Sequence, residues 1–414
     1  MAADLGLDFY RFSIAWPRIL PNGTPELVSK DGTRYYNDLI NGLLEKGIEP
    51  VVTMYHWDLP QRLQNLGGWT NPLIIHWFGE YSRVLYNLFG DRIKNWITIN
   101  EPIAVCTITY SMNIFPPNFV DPDIGKFHCI KNLLMAHASA YRIYNEVYRK
   151  KFQGRVGLTN QLINFIPATE EEEELTNLAT QFYSGLYSHP IFSKTGGWPP
   201  TIEKAIAENS KAKGWKHSRL PAFTDEEREF IKGTADFYGL NYYTSRLVRK
   251  AKEGEITESN CFGNIPELQA ILDTDSSWWR GASFWFHVHP EGIRSQLNWV
   301  KKSFGDVEII IYENGYPTFG NELRDNKRIK YFKDHLEQVL LAMYEDGVNV
   351  TGYTAWSLMD NFEWVEGYTT KFGIYEVDFS SPERTRTPRD SAHYYKNVIL
   401  TRSIHSHKYI TDEL

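Results

Sequence analysis

The feature that most constrains this chain is an alternation: short runs of β-branched and aromatic residues separated by longer amphipathic stretches. Seven runs read as strands, near Phe9 to Ala15, Pro50 to Tyr55, Asn95 to Ile99, Val156 to Thr159, Phe237 to Asn241, Val307 to Tyr312 and Val350 to Trp356. Between the first two, Leu39, Ile40, Leu43 and Leu44 mark one helical face, and Gly47 is placed to end it. Phe78, Tyr81, Leu85 and Leu88 do the same for the next helix, closed by Gly90. Near-continuously apolar strands alternating with helices imply a parallel sheet buried under helices. Over 414 residues the expected fold is α/β, a (β/α)8 TIM barrel with seven of its eight strands identifiable and incomplete at the N-terminus, where only MAADLGLD precedes the first run.

Composition narrows the function. With 44 Lys+Arg against 51 Asp+Glu, a net charge of -7 and no basic stripe, no nucleic-acid or membrane-surface partner is expected. Apolar runs such as Val307 to Tyr312 fall far short of the roughly 18 to 20 residues a membrane-spanning helix needs. Cys106, Cys129 and Cys261 cannot all pair and lack the close spacing of a zinc site, so neither a disulfide framework nor a metal centre is expected. Aromatic content is 15%. Most of these rings build a core, but sugar-binding clefts also need flat apolar faces beside polar edges, so position decides.

In a parallel barrel the carboxyl ends of the strands converge on one mouth, which gives weight to polar residues that terminate apolar strands. Asn95 to Ile99 runs into Asn100, Glu101 and Pro102; Val307 to Tyr312 runs into Glu313, Asn314 and Gly315. Two carboxylates flanking one bond are what glycoside hydrolysis requires. For either glutamate alone, a helix cap or a partner for arginine is an equal alternative. The neighbours tip the balance: His56, Trp57 and Asp58 end the second run, Asn241, Tyr242 and Tyr243 another, and WSLMDNFEW, Trp356 to Trp364, follows the last.

These segments resemble glycoside hydrolase family 1, the β-glucosidases and their relatives. YRFSIAWPRI (Tyr10 to Ile19), YHWDLPQ (Tyr55 to Gln61), GDRIKNWITINEP (Gly90 to Pro102), HPIFSKTG (His189 to Gly196), ENG (Glu313 to Gly315), WSLMDNFEW and RTPRDSA (Arg386 to Ala392) look like family segments in family order, spanning about Leu5 to Ile399. IAENSKAKGW and SRLPAFT look most like animal, particularly arthropod, members. The resemblance implies a retaining β-glycosidase, a β-glucosidase acting on O-linked β-glucosides by double displacement, with Glu101 as general acid/base and Glu313 as nucleophile. Their carboxyl groups are then expected roughly 5 to 5.5 Å apart. Arg11 and Tyr243 would hold Glu313 as an anion, His56 and Asn100 would bind ring hydroxyls, Glu363 and Trp364 would read distal hydroxyls, and Trp356 would be the stacking floor. Glu363 and Trp364 also argue against a phosphorylated sugar. The implied partner is a small-molecule β-glycoside, with no metal and no organic cofactor.

The chain departs from the family pattern in three places. A further strand and helix with a glutamine-bearing motif precedes the YRFSIAW-like segment in family members, and nothing here matches it, so residues 1–414 read as a single catalytic domain shortened at its start. After Glu101 the usual glycines are replaced in Thr109 to Asn118, implying a changed path at the aglycone entrance. Tyr312 stands where Thr usually precedes the nucleophile, placing bulk beside Glu313. The alternative function is therefore an impaired or inert member that at most binds glycosides, and a narrower variant of the first is thioglucoside hydrolysis. MAADLGLD lacks the features of a signal peptide, yet the sequons at Asn22 and Asn349 and the terminal TDEL favour a secretory-pathway location over a cytoplasmic one.

Overall fold

In the computed structural model, which describes residues 1–112, 114–256, 260 and 262–405, each of the seven predicted runs forms a strand. They are β1 (Phe9–Ser13), β2 (Glu49–Tyr55), β3 (Asn95–Asn100), β4 (Arg155–Pro167), β5 (Tyr238–Lys250), β6 (Ile309–Asn314) and β7 (Val350–Ala355). All pair in parallel in chain order, from Phe9↔Glu49 between β1 and β2 to Val350↔Ile309 between β7 and β6. The sheet curls, burying Val51, Ile97, Phe237, Ile310 and Tyr312 inside it. Helices α1 (Lys30–Glu45), α2 (Ile74–Phe89), α3 (Gly125–Ile143), α4 (Glu291–Phe304), α5 (Asn326–Tyr344) and α6 (Asp390–Thr401) are among those that cover its outside.

The helices form where the apolar spacing places them. The Ser29 hydroxyl caps α1 by accepting from the Gly32 N–H at 3.1 Å, and Gly47, at φ +70°, ends the turn that follows. Tyr36, Ile40 and Leu43 form the buried face of α1, whereas Leu44 is exposed, so the predicted stripe is narrower by one residue. On α2, Phe78, Tyr81 and Leu85 are fully buried, and each such side chain contributes about 1.5–3 kcal/mol of burial.

Strands β4 and β5 exceed their predicted lengths because they continue together past the rim, still paired from Asn164↔Ser245 to Pro167↔Val248. The end of β5 then pairs antiparallel with Ala270–Asp273. Turns on either side of Ala270–Asp273 bring Phe262, Phe284 and Trp285 to the mouth of the barrel.

Among the described residues, strands β1 and β7 each have a single strand neighbour. Between them lies a 1130 Å³ cavity lined by Phe9, Phe12, Tyr353, Ala355, Met343 and Ile399 among others. Asp58 Oδ1 and Thr354 Oγ1, on residues that line it, are buried without a protein hydrogen-bond partner. Burial pushes the Asp58 carboxyl up to about 7. No helix among the described residues is long and apolar enough to cross a membrane.

One expectation is corrected. Cys106 and Cys129 form a disulfide with Cα atoms 5.4 Å apart; Cys261 lies outside the described residues. The pairing was hidden in the sequence because the two residues sit on different helical segments that only tertiary packing brings together. Closing a loop of this length removes unfolded-chain entropy worth on the order of 3 kcal/mol.

Candidate active site

All the predicted site residues gather at the carboxyl end of the curled sheet. Asn100 ends β3, with Glu101 directly after it; Glu313 lies at the end of β6, Tyr243 within β5, and His56 and Trp356 directly after β2 and β7. These six, with Glu363 and Trp364 from the loop beyond β7, line one pocket. Arg11, on β1, lines the neighbouring cavity and meets two of these pocket residues, Glu313 and Asn100, through its guanidinium. Among the described residues, no cluster of His, Cys, Asp or Glu is arranged to hold a metal ion.

One hydrogen-bond chain ties the two acidic residues together. Arg11 donates from Nη1 to Glu313 Oε1, from Nη2 to Asn100 Oδ1 at 2.6 Å and from Nε to Thr53 Oγ1 at 3.0 Å. Asn241 Nδ2 donates to Glu101 Oε1 at 2.7 Å and to Asn100 Oδ1 at 3.2 Å. The Tyr243 hydroxyl donates to Glu313 Oε2 at 2.9 Å. Both oxygens of Glu313 therefore face fixed donors, one of them a buried cation, and the guanidinium fork has no freedom left to rotate.

The two carboxyls sit in different electrostatic surroundings. Burial, and then the Glu313 carboxyl facing it, push the Glu101 pKa up to about 8 against the Asn241 amide and the Arg11 guanidinium. Glu363 is raised to about 8 as well, by burial and then by Glu313 and Glu366. Burial, aided by Arg11, holds His56 well below its ordinary value. The imidazole is therefore neutral, and its Nε2 accepts from Asn100 Nδ2 at 3.2 Å. Tyr243 is raised well above its ordinary value by burial and by Glu313, so it stays a donor.

Flat rings enclose these polar groups. His56 lies 6.0 Å from Trp356 and 5.9 Å from Trp364, both stacked, and Trp57 lies 4.3 Å from Trp364. Trp57, Glu101 and Trp364 all have positive φ, at 82°, 46° and 46°. Left-handed backbone at non-glycine residues is costly, and its concentration at one pocket is the pattern of a functional site. Farther out the wall is apolar, with Ile108, Ile114, Phe115, Phe262, Phe284 and Trp285.

Several pocket residues escaped the sequence reading. Gln161, on β4, carried no signal in the sequence; its register partner Asn241, which the sequence marked as ending an apolar run beside Tyr243, anchors Glu101 just behind the pocket. Phe262, Phe284 and Trp285 come from turns that flank the Ala270–Asp273 ribbon, outside any strand or helix, so no period marks them. Tyr312 corrects another expectation. Its ring packs inside the sheet with Val51, Ile97 and Phe237, and the Arg11 guanidinium carbon stands 5.6 Å from its centroid. Its bulk supports Arg11 from within instead of crowding Glu313.

Beside Glu313, Gly315 is a position where a side chain cannot fit. A Cβ there would lie 1.8 Å from the Trp356 carbonyl oxygen, so the turn after Glu313 and the start of the Trp356 loop touch backbone to backbone. Gly315→Ala must push them apart. A displacement near 1 Å at a reacting group costs roughly 10²-fold in rate, and that loss in kcat is the expected outcome in a steady-state assay. An unchanged kcat would show that the contact does not position Glu313.

Comparison with known proteins agrees with this geometry. The sequence profile of glycosyl hydrolase family 1 matches residues 1–404. Myrosinase 1 of Brevicoryne brassicae is 43% identical over 402 residues, covering 96% of this chain and 84% of that protein. Cytosolic beta-glucosidase of Homo sapiens is 38% identical over 98% of this chain and 86% of its own length. Among solved structures, aphid myrosinase superposes with a TM-score of 0.90 at 42% identity, covering 96% of this chain and 85% of that one. A Thermotoga maritima beta-glucosidase in complex with deoxynojirimycin gives 0.86 at 36%, covering 98% and 85%. Family, fold and pocket converge on a glycoside hydrolase of the α/β TIM-barrel type, and the chain belongs to glycosyl hydrolase family 1.

Proposed function

We propose that the protein is a β-glucosidase that hydrolyses O-linked β-glucosides with retention of anomeric configuration. The observation that carries this reading is the asymmetry between the two carboxyls: Glu313 is clasped by Arg11 and Tyr243, while Glu101 is buried and raised to about 8. Glu313 attacks the anomeric carbon as Glu101 gives its proton to the leaving oxygen, and a glycosyl ester forms on Glu313. Ester formation removes the negative charge that holds Glu101 up, so Glu101 releases its proton more readily and serves as base toward water. His56 and Asn100 bind ring hydroxyls, Glu363 and Trp364 read the distal ones, and Trp356 is the floor. A phosphate beside Glu363 would meet a carboxyl, so the glycone is neutral. None of the described residues lining the pocket is a lysine or arginine, which favours uncharged, apolar aglycones. A proton held by Glu101 up to pH about 8 suits alkoxide or phenoxide departure, which a thiolate leaving group needs less.

The test is stereochemical. Proton NMR of early hydrolysis of an aryl β-glucoside should show β-glucose first, with the α-anomer appearing later by mutarotation; α-glucose first would overturn the double displacement. One observation favours a second reading, sugar binding without turnover: His56, Trp356 and Trp364 border both the pocket and the cavity between β1 and β7, which leaves one pocket wall open. Sugar affinity by calorimetry with no product by NMR would establish that reading.

We further infer that the protein resides in an oxidising compartment, because the Cys106–Cys129 pair is bonded and the sequon residues Asn22 and Asn349 are both exposed. The TDEL tail lies outside the described residues.

A further inference from the structure

The segment that follows Glu101 is held in an unusual way. It passes through a π-helical turn, Ala104–Ile108, and one more helical turn, Thr109–Met112. Ile114 and Phe115 then line the pocket, while Phe119 and Val120 are exposed. The chain returns at Asp121, whose N–H donates to the Tyr110 carbonyl at 2.9 Å. Cys106 lies between two pocket-lining residues, Ala104 and Ile108, and is bonded to Cys129 on α3, the helix packed against α2 and β3. Both cysteines are fully buried. Nothing dissolved in the solvent has direct access to them, so the bond acts as a brace and not as a sensor.

The brace and the sugar-binding groups are held largely by different contacts, meeting at the Glu101 carbonyl, which accepts from the Ala104 N–H at 3.0 Å. Glu101 is fixed by its own N–H, which donates to the Thr159 carbonyl at 2.8 Å, and by Asn241. His56 and Asn100 are set by β2, β3 and Arg11. What the disulfide closes is the loop bearing Phe115, whose ring meets Trp57 at 5.4 Å and Trp364 at 6.0 Å across the mouth. We propose that the Cys106–Cys129 disulfide is a specificity-determining brace: it holds the wall formed by Ala104, Ile108, Ile114 and Phe115 preformed against α3, so that an apolar leaving group docks without first having to order that wall. The inference rests on the glycosidase reading, because it assigns this wall to the aglycone.

The test compares the wild-type protein with Cys106→Ala/Cys129→Ala on phenyl β-glucoside and methyl β-glucoside. Loss of the brace should raise KM for the phenyl substrate about tenfold, with kcat for both substrates and KM for the methyl substrate within about twofold. Equal changes on the two substrates, or none on either, would overturn the proposal, since a general structural staple affects both alike. If the alanine pair does not fold, Cys106→Val/Cys129→Ala restores buried volume without the bond and is read in the same way. A second arm needs no turnover. Binding of phenyl and methyl C-β-glucosides, whose linkage cannot be hydrolysed, is followed by tryptophan fluorescence, and the phenyl Kd should rise about tenfold against an unchanged methyl Kd. If the wild-type protein binds both ligands but hydrolyses neither glucoside, the enzymatic reading fails while the ratio of the two Kd changes still decides the brace; a wild-type protein that does not favour phenyl over methyl in either arm refutes it.

Discussion

Glu313→Gln is expected to lower kcat on an aryl β-glucoside by about 10⁴- to 10⁶-fold, the span covered when an enzyme loses its covalent nucleophile. The amide keeps the volume and an oxygen that can accept from Arg11 or Tyr243, but it cannot form the glycosyl ester. Substrate affinity should survive, since His56, Asn100 and Trp356 do not depend on that charge. The Arg11 guanidinium is left without its anion in a site where its side chain is only 3% exposed. Breaking a buried pair outright costs about 3–5 kcal/mol, and the retained amide oxygen and the contacts to Thr53 and Asn100 should hold the loss below that. The measurements are kcat, KM and a thermal melt on the same preparation. In Glu313→Gly, which vacates that volume, a high concentration of azide should restore part of the rate and yield the glucosyl azide of opposite configuration. A variant that keeps the wild-type rate would remove Glu313 from the chemistry, and one that loses its cooperative melt would show that the ion pair chiefly holds the fold.

The parts of this site that the sequence revealed are those governed by local pattern. A strand of the parallel sheet announces itself by an apolar run, and the polar residue that ends it must stand at the mouth, which is why Asn100, Glu101 and Glu313 could be placed without coordinates. Features that depend on meetings between distant segments were illegible. The Cys106–Cys129 bond joins two helical segments whose approach is set by packing against the sheet. The Phe262, Phe284 and Trp285 wall comes from turns that flank a ribbon made when β4 and β5 continue past the rim, and no periodicity marks where a strand should stop. Tyr312 was misread for a related reason: adjacent residues of a strand need not face the same side, so bulk next to Glu313 in sequence became support beneath Arg11 in space.

The proton on Glu101 gives the second large effect. In the free enzyme the competent form carries that proton, so kcat/KM should fall about tenfold per pH unit above about 8. Glu101→Gln should abolish this limb and lower kcat/KM for phenyl β-glucoside by about 10²- to 10⁴-fold, the usual worth of general acid catalysis. The first step on a dinitrophenyl β-glucoside, whose leaving group needs no proton, should change little. Glu363 also titrates near 8, which makes Glu363→Gln the necessary control: the limb must persist there and vanish in Glu101→Gln, and the reverse would transfer the assignment to Glu363. In Glu101→Gln, stability should move in the opposite direction to activity. The unfolded chain loses this proton near the ordinary value of 4.5, whereas the folded protein keeps it to about 8. Between those limits the folded state binds the extra proton, so stability falls as pH rises, at about 1.4 kcal/mol per unit. Glu101→Gln carries no such charge and should therefore be more stable than wild type at pH 8, by several kcal/mol on this order-of-magnitude linkage, with the advantage shrinking as pH is lowered toward 4.5. Denaturant melts of the two proteins across that range measure it. A variant that lost the basic limb yet gained no stability at pH 8 would show that burial of Glu101 does not carry the strain that makes it an acid.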